Sequence, residues 1–413
     1  VNIRTDLTAT GTTTNVDNAD VTVVGGAGHV GIPLVLALAE AGFRVNINDI
    51  SKNALDTLKS GRLPFIEYDA DDLLTKALAN RRLAFTSTPD QISKRGPVII
   101  TIGTPVDEFL NPVRRVVQEC INSLLPHVTD GQLLVLRSTV FPGTTDWLDS
   151  YIRTKGRDLK LAFCPERVVQ GYGIKELREM PQIVSGTSPQ AEQEAIALWK
   201  SIAPEVVVVT PLEAEFAKLF NNAYRYIEFA ATNEFYLIAK SAGADYQRIL
   251  NAMKHNYPRA RNIPRPGFAA GPCLVKDTMQ LAAHARNQFG LGHAAMLINE
   301  GLVLHVIEDI RRRFDLSRMT VGLLGMAFKA DVDDTRASLS YKFKNALSTL
   351  AREVLTTDPH VTSDEALRPL KEVVANSDLL ILCTPHSGYK DANFAGKPVV
   401  DIWGFLNGPN VIR

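Results

Sequence analysis

The sequence predicts an α/β protein in which two doubly wound parallel-sheet lobes are joined by a helical middle. Three observations carry this expectation. Val21-Thr22-Val23-Val24 is an apolar strand run that enters a glycine turn and then an apolar helical stretch stopping at Gly42; the same opening returns at Thr320, where Val321-Gly322-Leu323-Leu324 runs into Gly325; and between them residues 210–242 keep one long helical pattern. Strands that alternate with helices favour a parallel sheet, because each parallel pairing needs a crossover long enough to hold a helix.

In chain order, residues 1–19 are rich in Thr, Asn and Asp without apolar periodicity and read as a flexible leader. After the first strand and its helix, residues 45–49 supply a second strand, and apolar runs at 98–102, 133–136, 161–163 and 206–209 supply more. The long helix has its own punctuation: Thr210 as cap, Pro211 at the first helical position, Glu213 completing a capping box, and Gly243 as a stop. Residues 97–105 end a strand in Gly103-Thr104-Pro105 and residues 378–385 end another in Cys383-Thr384-Pro385, so the internal repeat extends beyond the glycine turns. The expected domains are therefore a Rossmann-like lobe at 20–209, a helical domain at 210–317 and a second Rossmann-like lobe at 318–413.

Composition narrows the function. The 45 basic and 45 acidic residues balance, which gives no nucleic-acid or anionic-membrane surface, so an anionic substrate must be held by local donors. No apolar run reaches the roughly 18 residues of a spanning segment, and the expected location is cytoplasmic. Four widely separated cysteines, 120, 164, 273 and 383, suit neither a disulfide framework nor a metal knuckle; reduced thiols and no metal are expected.

Gly26-Ala27-Gly28-His29-Val30-Gly31 follows a strand and opens a helix, the context in which G-x-G-x-x-G binds a dinucleotide pyrophosphate. Asp49 ends the next strand, where a carboxylate bonds ribose hydroxyls and disfavours a 2′-phosphate, which points to NAD. Lys218 and Asn222 share a helix face, which on spacing alone equally fits a solvated polar stripe. Tyr236 and Lys240 mimic a Tyr-x-x-x-Lys catalytic pair, but they lie outside a complete lobe and are read as structural. Cys273 lies among Pro264, Pro266, Gly267, Gly271 and Pro272, a loop composition that favours access, with Lys276 and Asp277 close in sequence. A nicotinamide enzyme that stops at a carbonyl has no use for a nucleophile, whereas one that continues to a carboxylate can hold the aldehyde on a thiolate.

Together these residues resemble the nucleotide-sugar 6-dehydrogenases. The resemblance runs from Val21 onward through the glycine loop, Gly103-Thr104-Pro105, Ser138-Thr139-Val140 with Pro142-Gly143-Thr144-Thr145, Pro165-Glu166, Lys218 with Asn222, the Cys273 loop, and Phe328-Lys329 with Asp334-Thr335-Arg336. It implies a four-electron oxidation of a UDP-sugar hydroxymethyl group by two NAD, through a thiohemiacetal and then a thioester on Cys273. By the same resemblance Lys218 and Asn222 stabilise oxyanion character, Asp277 assists proton transfer through water, Glu166 serves the thioester stage, and Thr139 positions water and contacts the cofactor. It further implies cofactor contacts from Gly26, Gly28, His29, Val30, Gly31, Asp49, Gly103, Thr104 and Pro105. Substrate contacts are implied from Glu166, Arg167, Lys218, Asn222, Gly267, Lys329 and Arg336. Arg336 and Arg259 would reach across a homodimer to the neighbouring subunit's site, and the central helices would form the dimer.

Two features depart from the pattern. Arg265 and Ala269-Ala270 replace a more glycine-rich approach to the cysteine, and Arg167 stands where UDP-glucose enzymes carry Phe. Pro-Glu-Arg resembles the UDP-N-acetylhexosamine branch, so UDP-N-acetylglucosamine or UDP-N-acetylmannosamine is the expected substrate. UDP-glucose, an oxidation that stops at the carbonyl, and a catalytically inactive nucleotide-binding scaffold are the alternatives.

Overall fold

The structure, a computed structural model, describes residues 16–108, 113–269 and 271–413; positions 1–15 of the expected leader and Ala270 lie outside the described residues. The chain divides into two compact units, the first ending at Lys218 and the second running Leu219–Arg413. The break falls inside the helix Pro211–Ser241.

The first unit is built on eight strands: β1 (Val21–Val24), β2 (Val45–Asn48), β3 (Leu83–Thr86), β4 (Val98–Ile100), β5 (Leu133–Leu136), β6 (Lys160–Phe163), β7 (Gln182–Gly186) and β8 (Val206–Val208). Their order is β3-β2-β1-β4-β5-β6-β7-β8; β6 pairs with β7 antiparallel and β7 with β8 parallel, so β7 and β8 run against the other six. The central strands read as unbroken apolar runs because both faces are covered. Alternate residues serve different layers: Ile99, Leu133 and Val135 pack in one core with the helix Gly31–Glu40, while Val98, Ile100, Leu134 and Leu136 pack in another. Sequence reading missed β3 and β7, whose Thr86, Gln182 and Ser185 interrupt the apolar pattern although all three are buried.

The second unit carries the helices Tyr246–Lys254, Leu274–His284 and Gly290–Arg313 and a five-stranded sheet. That sheet contains β9 (Thr320–Leu324), β10 (Glu353–Thr357), β11 (Leu379–Leu382), β12 (Val399–Val400) and β13 (Val411–Ile412), all parallel, in the order β10-β9-β11-β12-β13. The architecture is the expected α/β class with two parallel-dominated sheets. One point differs from the expectation: the helix Gly290–Arg313 is, by length and composition, long and apolar enough to cross a membrane. Its Leu302, Val303, Val306, Ile307 and Ile310 are buried with Val321, Leu323 and Ile381 of the second sheet, so core packing accounts for one face of the helix.

Candidate active site

Lobe one, from the glycine turn outward. β1 enters the turn through Gly25, whose φ of +78° requires a glycine, and sequence reading overlooked this position. At Gly31 a Cβ would come within 2.5 Å of the Gly25 carbonyl, so the helix Gly31–Glu40 can start there only on glycine. Val30 precedes that helix with no side-chain cap; Ile32 donates its N–H to the Gly28 carbonyl at 2.9 Å and Pro33 has none, so it is chiefly the positive end of the helix dipole that the turn offers an outside anion. Asp49 follows β2 directly; Oδ2 accepts the Ala27 N–H at 3.0 Å and Oδ1 the Ser51 N–H at 2.9 Å, and each oxygen retains a lone pair. His29 packs on the Phe65 ring at 3.9 Å and its Nδ1 meets Gln170 Nε2 at 3.0 Å. An uncapped helix start with a half-exposed carboxylate beside it fits NAD.

After β4, the Thr104 hydroxyl donates to the Thr139 carbonyl at 2.6 Å and Ser138 to Ile102, which joins two loops at the sheet's C-terminal edge; Gly103 and Pro105 flank Thr104 and are exposed. Glu166 follows β6 and is buried. Its Oε2 accepts from the Arg137 guanidinium at 2.5 Å, and its Oε1 accepts the N–H groups of Arg167 and Val168 at 2.7 and 2.9 Å. Arg167, half-buried, donates to the Pro181 carbonyl. Glu215 was not anticipated. It takes the N–H groups of Gly143 and Thr145 at 2.6 and 2.8 Å and the Thr145 hydroxyl at 2.6 Å, acting as the carboxylate cap of the helix Thr144–Thr154. Burial pushes its carboxyl up despite those bonds. Lys218, one turn along the same helix and half-buried, closes the first unit.

In the second unit Asn222 donates to Asp277 Oδ2 at 2.6 Å. Asp277 is fully buried; its Oδ1 lies 3.1 Å from Lys276 Nζ but without hydrogen-bond alignment, so the pair is coulombic and that oxygen accepts no hydrogen bond among the described residues. Cys273 does not sit in mid-loop. It is the exposed N-cap of the helix Leu274–His284, where unsatisfied N–H groups favour a negative charge, and Asp277 lies one helical turn later. The loop before it is wedged at two glycines: a Cβ on Gly267 would meet Trp403 at 2.3 Å, and one on Gly271 would meet Phe328 at 2.7 Å. Asn233, another residue missed in the sequence, clamps Gly267 from both sides, accepting its N–H at 2.8 Å and donating to its carbonyl at 3.1 Å. Arg265 is exposed and donates to the Gly404 carbonyl at 3.0 Å, a brace for this loop.

The Phe328-Lys329 and Asp334-Arg336 motifs meet where the Phe328 N–H donates to the Asp334 carbonyl at 2.9 Å. Lys329 is half-buried beside it. Arg336 is forked onto Asp334, with Nη2 to Oδ2 at 2.6 Å; this bond first, and the charge of Cys273 last, raise the guanidinium's proton affinity. Arg259 is exposed over the Tyr257 ring at 5.0 Å. None of the four cysteines forms a disulfide, and burial drives Cys120 and Cys164 up to about 11, as expected of inert thiols. Lys240 bonds Tyr236 at 2.9 Å and pairs with Asp309 at 3.0 Å, a structural link.

Residues 19–203 match the NAD binding domain, 212–301 the central domain and 322–408 the UDP binding domain of the UDP-glucose/GDP-mannose dehydrogenase family. A UDP-N-acetyl-D-mannosamine dehydrogenase from Methanococcus vannielii is 30% identical over 375 residues, covering 88% of this chain and 86% of the relative. An NDP-N-acetyl-D-galactosaminuronic acid dehydrogenase from Ralstonia nicotianae is 27% identical across 96% of this chain and 98% of its own. The solved structure of a UDP-D-ManNAc dehydrogenase from Pyrococcus horikoshii superposes with a TM-score of 0.87 at 27% identity, covering 94% of this chain and 96% of that one.

Proposed function

Because the chain belongs to the UDP-glucose/GDP-mannose dehydrogenase family, in its UDP-N-acetylhexosamine branch, and is thereby an NAD-dependent nucleotide-sugar dehydrogenase, we propose that it carries a UDP-N-acetylhexosamine through both oxidations to the uronate. UDP-N-acetylmannosamine is preferred over UDP-N-acetylglucosamine, in line with the names of the archaeal relatives. In this reading residues 20–209 bind NAD, 210–317 carry the nucleophile and the dimer contacts, and 318–413 hold the UDP-sugar. NAD supplies the hydride acceptor.

The chain's own residues do the rest. Cys273 attacks the aldehyde as a thiolate and holds it as a thiohemiacetal, so that the second oxidation yields a thioester that water opens. The observation that carries this reading is the exposed Cys273 at a helix N-terminus, with a buried carboxylate oxygen of Asp277 one turn away that has a lone pair for a water's proton. Lys218 and Asn222 donate to the developing oxyanions, Thr139 orders water, Glu166 takes a proton at the thioester stage, and Arg167 reads the sugar. Gly267, Lys329 and Arg336 line the UDP-sugar. A homodimer is supported by apolar side chains left exposed on the helices of the second unit: Phe220, Tyr224 and Ile238 on one, Leu297 and Leu304 on another. In that dimer Arg259 and Arg336 complete the neighbour's site. Cysteines without disulfides fit the reducing cytoplasm.

The test is NADH formed per sugar across a panel of UDP-sugars, with two expected for the true substrate. A yield of one overturns the thioester scheme and leaves a dehydrogenase that stops at the carbonyl. Cys273→Ala should abolish uronate formation while NAD still binds; uronate formed at the unmutated rate excludes covalent capture.

A further inference from the structure

We propose that Arg137 is a positioning residue for Glu166, holding that carboxylate in place and aimed while the product is released. Arg137 directly follows β5, and its side chain is 0% exposed. Its guanidinium reaches one short stretch of chain three times: Nη1 donates to the carbonyls of Cys164 at 3.1 Å and Pro165 at 3.4 Å, and Nη2 donates to Glu166 Oε2 at 2.5 Å. Its backbone carbonyl also accepts the Glu166 N–H at 3.1 Å, and its charged face lies 4.1 Å from the Trp199 ring centre. Glu166 is thus fixed at both oxygens, by Arg137 on one and two backbone amides on the other.

Stability alone does not call for this arrangement. A buried ion pair seldom outperforms apolar residues of the same volume, and Arg137 Nε has no hydrogen-bond partner among the described residues, so the fold carries an unsatisfied donor at this point. A leucine continuing the Leu133–Leu136 run would avoid both costs. The fork also requires arginine: a lysine ammonium is a point charge and cannot span two carbonyls and a carboxylate from one plane. The other ionisable groups facing Glu166 in this unit do not substitute. Arg167 is turned to the Pro181 carbonyl, and burial holds the Cys164 thiol neutral.

The inference rests on the reading in which Glu166 acts on the thioester. There the water oxygen forms a bond to the carbonyl carbon, the carbon–sulfur bond breaks, and Cys273 leaves as a thiolate. The proton lost by water goes to Glu166 and then to the thiolate, and the acid product releases its own proton to solvent. Glu166 accepts that proton only if it is directed at the water, and misplacement by about 1 Å costs about 100-fold in rate.

The experiment separates the two stages by rapid quench, following the first hydride transfer and, by intact mass, the acyl adduct on Cys273. Arg137→Met should leave the first transfer within about threefold and slow adduct release about 100-fold. Arg137→Lys, the milder variant should the first not fold, should slow release about tenfold, because charge is kept and the fork is lost. Both stages slowing equally in Arg137→Met, or unmutated release in Arg137→Lys, would overturn the proposal. Glu166→Gln distinguishes the underlying reading: adduct should accumulate, and unimpaired release would remove Glu166 from this stage whatever Arg137 does.

Discussion

The two glycine turns of this chain share one backbone plan and put it to different uses. In the first unit the turn opens a helix at once, that helix has no side-chain cap, and the acid after the second strand, Asp49, is half-exposed. In the second unit Gly325 takes a φ of +93°, and Asp358, after β10, accepts the Met326 and Ala327 N–H groups at 2.6 and 2.9 Å much as Asp49 accepts Ala27. There the likeness stops. The next helix begins only at Leu339 and is capped by Ser338, and the Asp358 side chain is 0% exposed, bonded to His386 Nε2 at 2.9 Å. His386 Nδ1 in turn accepts the Asp331 N–H at 2.9 Å, so the network assigns the ring proton to Nε2. The side chains of Asp331, His360 and His386 approach one another closely enough for a cation, yet both His386 nitrogens are engaged already. The strand-turn frame therefore does not by itself make a dinucleotide site; what the chain does in the dozen residues after the turn decides whether its acid faces a ligand or the core.

Four substitutions test that contrast. The largest effect is expected from Gly31→Ala, whose Cβ would meet the Gly25 carbonyl at 2.5 Å: NAD affinity by fluorescence titration should fall at least about 100-fold. Gly325→Ala, equally crowded against Thr384 at 2.5 Å, should lower thermal stability and leave the NAD titration within about threefold; parallel loss of NAD affinity in both would erase the distinction. Next is Asp358→Asn. Burial by itself would raise this carboxyl, but the His386 hydrogen bond and the backbone donors outweigh it and hold it well below the usual carboxylate range. A depressed carboxylate contributes stability that is complete above the unfolded value near ~3.9 and lost as pH falls below it. The variant should be about 1.5 to 3 kcal/mol less stable at neutral pH, with a flatter decline below pH ~4 in urea unfolding. An unchanged acid profile would show that Asp358 is not the group responsible. The smallest effect is expected from Asp49→Asn: a roughly tenfold weaker NAD affinity, about 1.4 kcal/mol, with unfolding nearly unmoved. A stability loss as large as that of Asp358→Asn would make the two acids equivalent.

Much of this was legible from residue type. Valine, isoleucine and leucine runs marked the central strands, and the Thr210–Glu213 capping box forms with two bonds of 2.8 Å to Glu213. The hidden parts are those whose partners lie far along the chain. Glu215 looks like one more polar residue on an amphipathic helix until Thr145, 70 positions away, arrives on it. Arg137 breaks an apolar run and was passed over, because nothing local announces that Glu166, 29 positions later, will neutralise it. The two-residue strands β12 and β13 have no periodicity to read at all.

Asn222 and Asn233 lie eleven residues apart on the helix Pro211–Ser241, and eleven residues make just over three whole turns, about 16 Å of rise with a residual rotation of only about 20°. They grip the two ends of the cysteine loop, at Asp277 and Gly267. One residue added between them would swing one grip by about 100° and release it, and only a change of whole turns would restore the bearing while shifting the reach by about 5 Å per turn. The interval is in effect a gauge length, and it should tolerate substitution at almost any intervening exposed site while tolerating no insertion.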